Sequence, residues 1–370
     1  MANAWPPPLF RAGAPGGPPR PAPTLAGLAG IHSVEAQAQT PPTIQNLVDA
    51  INSGVKTAGK ALADTGISSA PHSTIPSGNG PQMTDALAAF TFSLANENMA
   101  PAGANDWNCK PTAAHPEPVV LLHGSWMNAY DGFAYMSPQL EQAGFCVYAL
   151  NYGQEGLLQQ GGLGALVPGV NGVAPMEDSA KQVATFVDKV LASTGAHKVN
   201  IVGHSQGGPV ADQYLKFGGG AAKVDQLITF GATHHGTTLD GIATLGRHLT
   251  DMGFNALGFS QLLVGEGLIE QVAGSKFYTT LDAAGDTVAG VHYTSVATTH
   301  DEISTPYDAT FLTAGPGATV TNVTLQDGCP IDLSDHLSMM YSKRAVSIAL
   351  RALDPTGHPN LTCAFNPYAL

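Results

Sequence analysis

The chain has 370 residues, of which 44% are hydrophobic and only 12% charged, so it can bury one large core or two ordinary ones. Its 15 Lys and Arg residues and 28 Asp and Glu residues give a net charge of −13, which argues against nucleic acid and anionic membranes as partners, because both are bound by cationic surfaces. No apolar run reaches the roughly 20 residues of a membrane-spanning helix, so the sequence predicts no transmembrane segment.

The first hundred residues differ in composition from the rest. Residues 1–40 are rich in Pro, Gly and Ala, which predicts a disordered segment. A weak apolar stretch followed by Ala36-Gln37-Ala38 also gives this segment a loose likeness to an export leader. Residues 41–100 predict a partly helical N-terminal extension, with helices over Ile44–Lys60 and Met83–Asn96.

From Cys109 onward, short β-branched runs alternate with helical patterns. The predicted strands are Pro118–His123, Cys146–Tyr152, Val199–Gly203, Gln226–Phe230, His292–Ala297 and Thr319–Leu325. The predicted helices are Met136–Ala143, Met176–Ser193, Gln206–Phe217 and Leu337–Leu353. Alternation of this kind is typical of a parallel sheet wrapped by helices. We therefore expect residues 101–370 to form one α/β domain.

The sequence Gly203-His204-Ser205-Gln206-Gly207 lies where an apolar run ends and a helical pattern begins. A tight turn alone would explain its glycines, and a chance match to G-x-S-x-G is common in a chain with 43 glycines. A strand, a sharp turn carrying serine and then a helix is, however, the arrangement of a nucleophile elbow, in which glycines let neighbouring backbone approach. We therefore predict that Ser205 is a nucleophile.

A serine nucleophile requires a base, and in this architecture the partners follow in the order serine, acid, histidine. His336 lies beyond the last predicted strand and just before the C-terminal helix, where the base is expected; a histidine at a capped helix start is the alternative. Asp301 follows the predicted strand His292–Ala297 and is the favoured acid. Glu302 and Asp308 are close competitors, and each could equally be a solvated loop carboxylate.

The oxyanion of an acyl-transfer reaction requires two backbone N–H donors. One is expected from Gln206, the residue after the serine. The other is expected from Ser125, because His123-Gly124 ends the first predicted strand and Gly124 permits a tight turn. An ordinary turn at the end of a strand is the alternative.

The four cysteines are Cys109, Cys146, Cys329 and Cys363, and they form no C-x-x-C pair. This spacing disfavours a zinc or redox motif and is typical of two disulfides in an exported protein, with four buried thiols as the alternative. Of the three pairings we favour Cys109–Cys146 with Cys329–Cys363, because each pair then brackets one end of the folded region. Each closure would contribute about 3–4 kcal/mol in the chain-entropy model.

Two segments are candidates to cover the site. Gly153–Pro175 is rich in glycine and short of charge, and residues 239–272 carry apolar residues near helical spacing. The second segment predicts a lid over an acyl pocket, with a packed surface helix as the alternative. Under the lid interpretation, the acyl chain would be lined by Met252, Phe254, Leu257, Phe259 and Leu262.

In combination, several segments resemble the secreted α/β-hydrolase lipases and esterases of actinobacteria. They are "NDWNCKPTAAHPEPVVLLHGSW", "GFCVYALNYG", "VNIVGHSQGGPVADQYLKFGGGAAKV", "GATHHGTTLDG", "DEISTPY" and "SDHL". The resemblance spans about residues 104–354 and implies an α/β-hydrolase fold with a mostly parallel central sheet and a lid-like insertion. His300 stands where an aromatic residue is expected, and the region before residue 100 has no counterpart.

The resemblance also implies a function: hydrolysis of carboxylesters, with acylglycerols as substrates, by a secreted enzyme that needs neither metal nor organic cofactor and contacts a lipid interface. Carried over position by position, it makes Ser205 the nucleophile, Asp301 the acid and His336 the base, with Ser125 and Gln206 forming the oxyanion hole. An acyltransferase, a short-chain esterase or a thioesterase would use the same triad. A non-catalytic exported binding protein on this scaffold is a further alternative, and it would keep its function after Ser205→Ala.

Overall fold

The structure is a computed structural model that describes residues 71–155, 169–238, 240–244 and 265–369. Several sequence predictions fall outside these ranges: the disordered or leader-like segment 1–40, the helix Ile44–Lys60, the proposed acyl-lining residues and most of the predicted lid 239–272. The middle of Gly153–Pro175 also lies outside them.

Six parallel strands form the central sheet. They are β2 (Val119–Leu122), β3 (Val147–Ala149), β5 (Val199–His204), β6 (Val224–Phe230), β7 (His292–Ala297) and β8 (Thr319–Thr324). Their order is β3-β2-β5-β6-β7-β8, and every neighbouring pair is parallel. The predicted parallel sheet is confirmed, and it brings the loops at the carboxyl ends of its strands to one edge, where ligands bind in sheets of this kind.

Helices cover both faces of this sheet. They are α1 (Ala86–Ala95), α2 (Ala129–Phe133), α3 (Met136–Gln142), α4 (Met176–Thr194), α5 (Gly207–Phe217), α6 (Glu266–Ile269), α7 (Lys276–Ala283) and α8 (Lys343–Leu353). Among these described helices, none combines the length and the apolar character that a membrane crossing requires.

Successive side chains of β2 pack into two separate hydrophobic cores, one on each face of the sheet. Val120 and Leu122 pack with α4, α5 and α7 on one face, whereas Val119 and Leu121 pack with α1, α2, α3 and α8 on the other. All four side chains are fully buried. The strand therefore shows a continuous apolar run instead of alternation, as expected for a strand covered on both sides.

The predicted strand Cys146–Tyr152 is in fact two strands. β3 belongs to the central sheet, whereas β4 (Asn151–Gln154) pairs antiparallel with the short β1 (His72–Thr74). The Asn105 side chain forms hydrogen bonds with both backbone groups of Ala149 at the end of β3: it accepts from the N–H at 2.9 Å and donates to the carbonyl at 2.9 Å. This side chain takes over the hydrogen bonds that a continuing ladder would use.

The predicted helix Leu337–Leu353 is also divided. Ser338–Tyr341 form a 3₁₀ turn, and α8 begins only after Ser342, whose hydroxyl caps the helix by accepting from the N–H groups of Arg344 and Ala345. A serine at the N-cap satisfies donors that have no partner within the helix. Residues 338–341 therefore form a separate turn and are not part of α8.

Both favoured disulfides are present in the structure. Cys109–Cys146 has a Cα–Cα distance of 5.7 Å and lies at the amino end of β3. Cys329–Cys363 has a Cα–Cα distance of 5.2 Å and joins the loop after β8 to the segment after α8. The two bridges therefore hold different ends of the fold.

Candidate active site

Ser205 occupies the sharp turn between β5 and α5. Its φ is 51°, in the left-handed region that a residue with a Cβ rarely adopts, and its side chain is buried. Such strain persists only where the surroundings impose it, and it clusters at functional sites. Here the Ser205 N–H donates to the carbonyl of Phe230 at 3.0 Å, which ties the turn to the end of β6.

The glycines of the motif are required by close backbone packing. A Cβ on Gly207 would overlap the carbonyl oxygen of Leu122 in β2, and a Cβ on Gly203 would lie 3.0 Å from the backbone of Gly207. A side chain at either position would push α5 away from the sheet. The two glycines therefore allow the serine turn to form tightly against β2 and β5.

Asp301 and His336 meet at the same edge of the sheet. The His336 Nδ1 atom lies 2.9 Å from Asp301 Oδ1 and 3.0 Å from Oδ2, and both side chains are almost fully buried. Gly231, the residue after Phe230, lies beside the pair: a Cβ there would stand 3.1 Å from both Asp301 Oδ2 and His336 Nδ1. The serine turn and the carboxylate–imidazole pair are thus both anchored at the end of β6.

The electrostatics of this pair stabilise the imidazolium form of His336 relative to a free imidazole. Burial lowers the pKa of His336, but the charge and hydrogen bond of Asp301, with smaller contributions from Glu302 and Asp335, outweigh it and raise the pKa above its ordinary value. Since the carboxylate faces Nδ1, the opposite ring nitrogen, Nε2, is left to exchange a proton with a substrate or nucleophile.

The competing carboxylates lie differently. Glu302 approaches the backbone N–H of His336 at 3.4 Å instead of its ring, and Asp308 is exposed in a 3₁₀ turn. Asp301 is itself held by the N–H groups of Ile303 and Ser304, which donate to Oδ1 at 3.0 and 2.6 Å. Of the three carboxylates weighed from the sequence, Asp301 alone contacts the His336 ring in this structure.

The predicted oxyanion donors lie on adjacent turns. Ser125 follows β2, and Gln206 follows Ser205; both are almost fully buried. The two turns pack closely at Gly124, since a Cβ on this glycine would lie 3.1 Å from the Ser205 Cβ. Within the described residues, the backbone N–H groups of Ser125 and Gln206 form no hydrogen bond, so both remain available as donors.

Gln271 is a residue that sequence reasoning missed. It is 2% exposed, and its Nε2 donates to Ser125 Oγ at 2.6 Å and to the carbonyl of Gly267 at 3.2 Å. The Gln206 side chain donates to the same Gly267 carbonyl at 2.8 Å. The segment around α6 therefore holds both donor residues by their side chains. No local pattern marks Gln271, since its partner Ser125 is 146 residues away in sequence.

Two histidines next to the site are electrically neutral. Burial lowers the pKa of His123 to about 4 and that of His204 to about 3. The His123 ring accepts from the Tyr152 N–H at Nε2, so its Nδ1 carries the hydrogen that it donates to the Gly124 carbonyl at 2.8 Å. His123 thereby fixes the turn that leads to Ser125, without adding charge to the site.

Within the described ranges, no group of three or more His, Cys, Asp or Glu side chains is arranged to hold a metal ion. The adjacent pair His234 and His235 illustrates this. His234 Nδ1 lies 2.6 Å from the buried Asp212, whereas His235 contacts Asp286 at 3.2 Å. The two rings thus belong to separate carboxylate contacts.

Comparison with known proteins places the chain in a family. A family model described as "Lipase (class 2)" matches residues 116–340, more than half of the chain. A triacylglycerol lipase of Pseudarthrobacter phenanthrenivorans is 33% identical over 134 residues, which is 34% of this chain and 35% of that protein. A triacylglycerol lipase of Burkholderia plantarii is 30% identical over 168 residues, which is 41% of each chain. The chain therefore spans about a third to two-fifths of the length of these relatives.

Solved structures similar to this chain include two lipases. Lipase B of Aspergillus fumigatus aligns with a TM-score of 0.50 at 21% identity, over 66% of this chain and 55% of that chain. A Bacillus licheniformis lipase in its mature form aligns with a TM-score of 0.45 at 17% identity, over 66% of this chain and 94% of that chain. Together with the parallel sheet, the first of these likenesses confirms the predicted α/β-hydrolase fold.

Proposed function

Since the chain belongs to the class 2 lipase family, we propose that it is a carboxylic ester hydrolase acting on acylglycerols, with Ser205, His336 and Asp301 as its catalytic triad. The observation that carries the proposal is the buried Asp301–His336 contact at the sheet edge where the strained Ser205 turn also lies. The family relatives are named as triacylglycerol lipases, which supports acylglycerols as the substrate class.

The reaction follows a two-step acyl transfer. Nε2 of His336 takes the proton of the Ser205 hydroxyl as Oγ attacks the ester carbonyl carbon, giving a tetrahedral intermediate. The imidazolium then gives that proton to the departing alcohol oxygen, and an acyl-enzyme remains. Water, deprotonated by the same histidine, attacks the acyl-enzyme and releases the fatty acid and the free serine.

The intermediate places a negative charge on the former carbonyl oxygen. The N–H groups of Ser125 and Gln206 are the proposed donors to this oxygen, and their lack of partners among the described residues supports the assignment. The amino end of α5, directly after Gln206, adds the positive end of its dipole. Removal of one donor from such a hole costs about 10²–10³-fold in kcat.

Two further proposals concern the whole protein. We propose that it acts outside the cell, which its two disulfides support because such bonds persist in oxidising compartments. We also propose that residues 101–370 form the catalytic domain, preceded by an extension over 41–100. In the described part of that extension, Ala89 of α1 packs into the core beneath α2 and α8.

The proposal is tested by hydrolysis of p-nitrophenyl esters from acetate to palmitate and of emulsified triacylglycerol, with wild type and Ser205→Ala. Wild type should hydrolyse them and the variant should lose activity by at least about 10³-fold. Ser137→Ala is a matched control, because Ser137 is also buried but lies on α3, where its hydroxyl donates to the Ala102 carbonyl at 2.8 Å. Equal activity of wild type and Ser205→Ala would reject the proposed nucleophile.

The range of substrates decides between related functions. Strong turnover of long-chain esters and triacylglycerol supports a lipase, whereas turnover of short esters alone indicates an esterase. Transfer of the acyl group to an added alcohol faster than to water would indicate a transferase, and faster hydrolysis of a thioester than of the matching oxygen ester would indicate a thioesterase. No turnover by wild type, together with no labelling by a serine-directed phosphonate, would overturn the hydrolase proposal.

A further inference from the structure

The chain returns to the active-site loops after its last helix. Residues 363–369, which we call the C-terminal strap, follow α8 and lie against the loop 329–338 that carries His336. Cys363 is bonded to Cys329, and Asn366 forms a parallel β-bridge with Asp332. The Leu333 N–H donates to the Asn366 carbonyl at 2.9 Å, so the strap runs alongside the residues that lead to His336.

The Asn366 side chain spans the turn that contains His336. Its Nδ2 donates to Ser334 Oγ and to the Ser338 carbonyl, both at 2.9 Å. These acceptors lie two residues before and two residues after His336, so one amide group joins both sides of the turn. The Ala369 N–H adds a hydrogen bond to Asp335 Oδ2 at 2.6 Å, directly beside the histidine.

The same strap reaches the loop that carries the acid. The Tyr368 hydroxyl lies 3.2 Å from Nδ1 of His300, and the two rings meet edge to face with centroids 5.3 Å apart. His300 directly precedes Asp301. The strap therefore contacts both of the loops whose separation sets the Asp301–His336 distance, although it contacts neither of these two side chains through the bonds described.

From these contacts we propose that the C-terminal strap positions the Asp301–His336 pair and that Asn366 is its principal positioning residue. The inference rests on the proposed function for its kinetic consequence. A carboxylate and an imidazole on two separate loops act together only when both are held in place, because small displacements of catalytic groups strongly reduce rates. The Cys329–Cys363 bond fixes the strap at the end where it joins the histidine loop.

The first experiment compares wild type with Asn366→Ala and with Asn360→Ala, an exposed asparagine just before the strap. We expect Asn366→Ala to lower kcat about 10-fold with little change in KM, since it loses two hydrogen bonds that hold the base. The His336 ring should also titrate at a lower pH in this variant, measured by NMR of labelled histidine and assigned with His336→Gln. Asn360→Ala should match wild type in both measurements.

The second experiment compares the two disulfides, which enclose loops of similar length, with sequence separations of 34 and 37. The double variant Cys329→Ser/Cys363→Ser should lower kcat about 10-fold at temperatures where it remains folded, whereas Cys109→Ser/Cys146→Ser should retain the wild-type kcat below its own melting temperature. Equal loss of kcat in both variants would show a general effect on stability and would overturn the proposed role.

The outcomes separate this proposal from the proposed function. A wild type that hydrolyses no ester rejects the function, but the His336 titration needs no substrate and still decides the positioning role. An unchanged titration and kcat in Asn366→Ala would overturn the strap proposal. If Asn366→Ala does not fold, Tyr368→Phe and the disulfide pair give the same decision, because each alters the strap without touching the asparagine.

Discussion

His204, the residue before the proposed nucleophile, donates from Nε2 to the backbone carbonyl of His336, the proposed base, at 2.9 Å. Their ring centroids lie 4.9 Å apart. Burial and the neighbouring His336 lower the pKa of His204 to about 3, so its ring is neutral at ordinary pH. The nucleophile turn and the base turn are therefore joined directly by an uncharged hydrogen bond.

Loss of this bond should impair catalysis more than binding. We expect His204→Ala to lower kcat about 10-fold with little change in KM, because the His336 carbonyl loses a buried donor and the two turns separate. His204→Gln should recover part of the loss, since its amide can donate in the same direction. Steady-state kinetics of both variants on one ester are the measurement, and wild-type kcat in both would contradict the prediction.

Replacement of Asp301 should change both the rate and its pH dependence. We expect Asp301→Asn to lower kcat about 10⁴-fold, as for an orienting carboxylate in a triad. The Asp301 charge raises the His336 pKa against the effect of burial, so its removal lowers that pKa. Because the base acts when neutral, the acid limb of the kcat/KM profile should move to lower pH. Asp308→Asn, at an exposed carboxylate, should leave rate and profile unchanged.

The role of Gln271 can be tested by a neutral and a charged replacement. Gln271→Ala should lower kcat about 10-fold, since it leaves the Ser125 hydroxyl without its donor and loosens a turn that acts in the transition state. Gln271→Glu should be more harmful, because it brings negative charge close to the developing oxyanion. Kinetics on one ester compare the two; equal or higher activity of the glutamate variant would count against this arrangement.

The free energy of unfolding should depend on pH through Asp131, which is not part of the proposed triad. Its carboxyl accepts from the Asn128 N–H at 2.8 Å and lies 2.9 Å from Ser93 Oγ. Burial, opposed by these hydrogen bonds, raises its pKa from 3.8 to about 7. Because the folded pKa lies above the unfolded value, its contribution to stability is complete below about pH 4 and is lost as the pH rises through 7.

Asp131→Asn preserves the shape but removes this titration: its Oδ1 can still accept from the Asn128 N–H, and its Nδ2 can donate to Ser93 Oγ, whose own proton goes to the Phe90 carbonyl. Relative to the variant, wild type should therefore lose up to about 4 kcal/mol of unfolding free energy between pH 4 and pH 8. Urea unfolding across this range is the measurement, with Asp308→Asn as an exposed control that should follow wild type. Parallel curves for wild type and Asp131→Asn would show that the carboxyl does not titrate in this interval.

Local patterns in the sequence were sufficient to predict the elements around Ser205. The buried run at Val199 and the helix ending at Phe217 appear as β5 and α5, because strand, turn and helix are adjacent in sequence and each is specified by its own residues. The break between β3 and β4 was not predictable in this way. It depends on Asn105, whose side chain binds Ala149 from 44 residues away.

The functional assignments depend similarly on distance in sequence. The order of serine, acid and histidine pointed to Asp301 and His336. Residue spacing could not separate Asp301 from its neighbour Glu302, because the direction of each side chain depends on the conformation of the loop. Gln271 and Asn366 carry no motif, and the roles proposed for them rest on contacts made across the folded chain. The assignments of catalytic roles remain predictions for the experiments above.

The position of Cys109–Cys146 at the amino end of β3, opposite the edge that carries Ser205 and His336, has a practical consequence for engineering. Under the proposed function, substitutions at the carboxyl ends of the strands should alter substrate selection, whereas substitutions around this bridge lie at the opposite ends of the strands and should mainly affect stability. Changes at well-separated positions with no shared contacts are usually additive. The two properties can therefore be optimised in separate libraries and then combined in one chain.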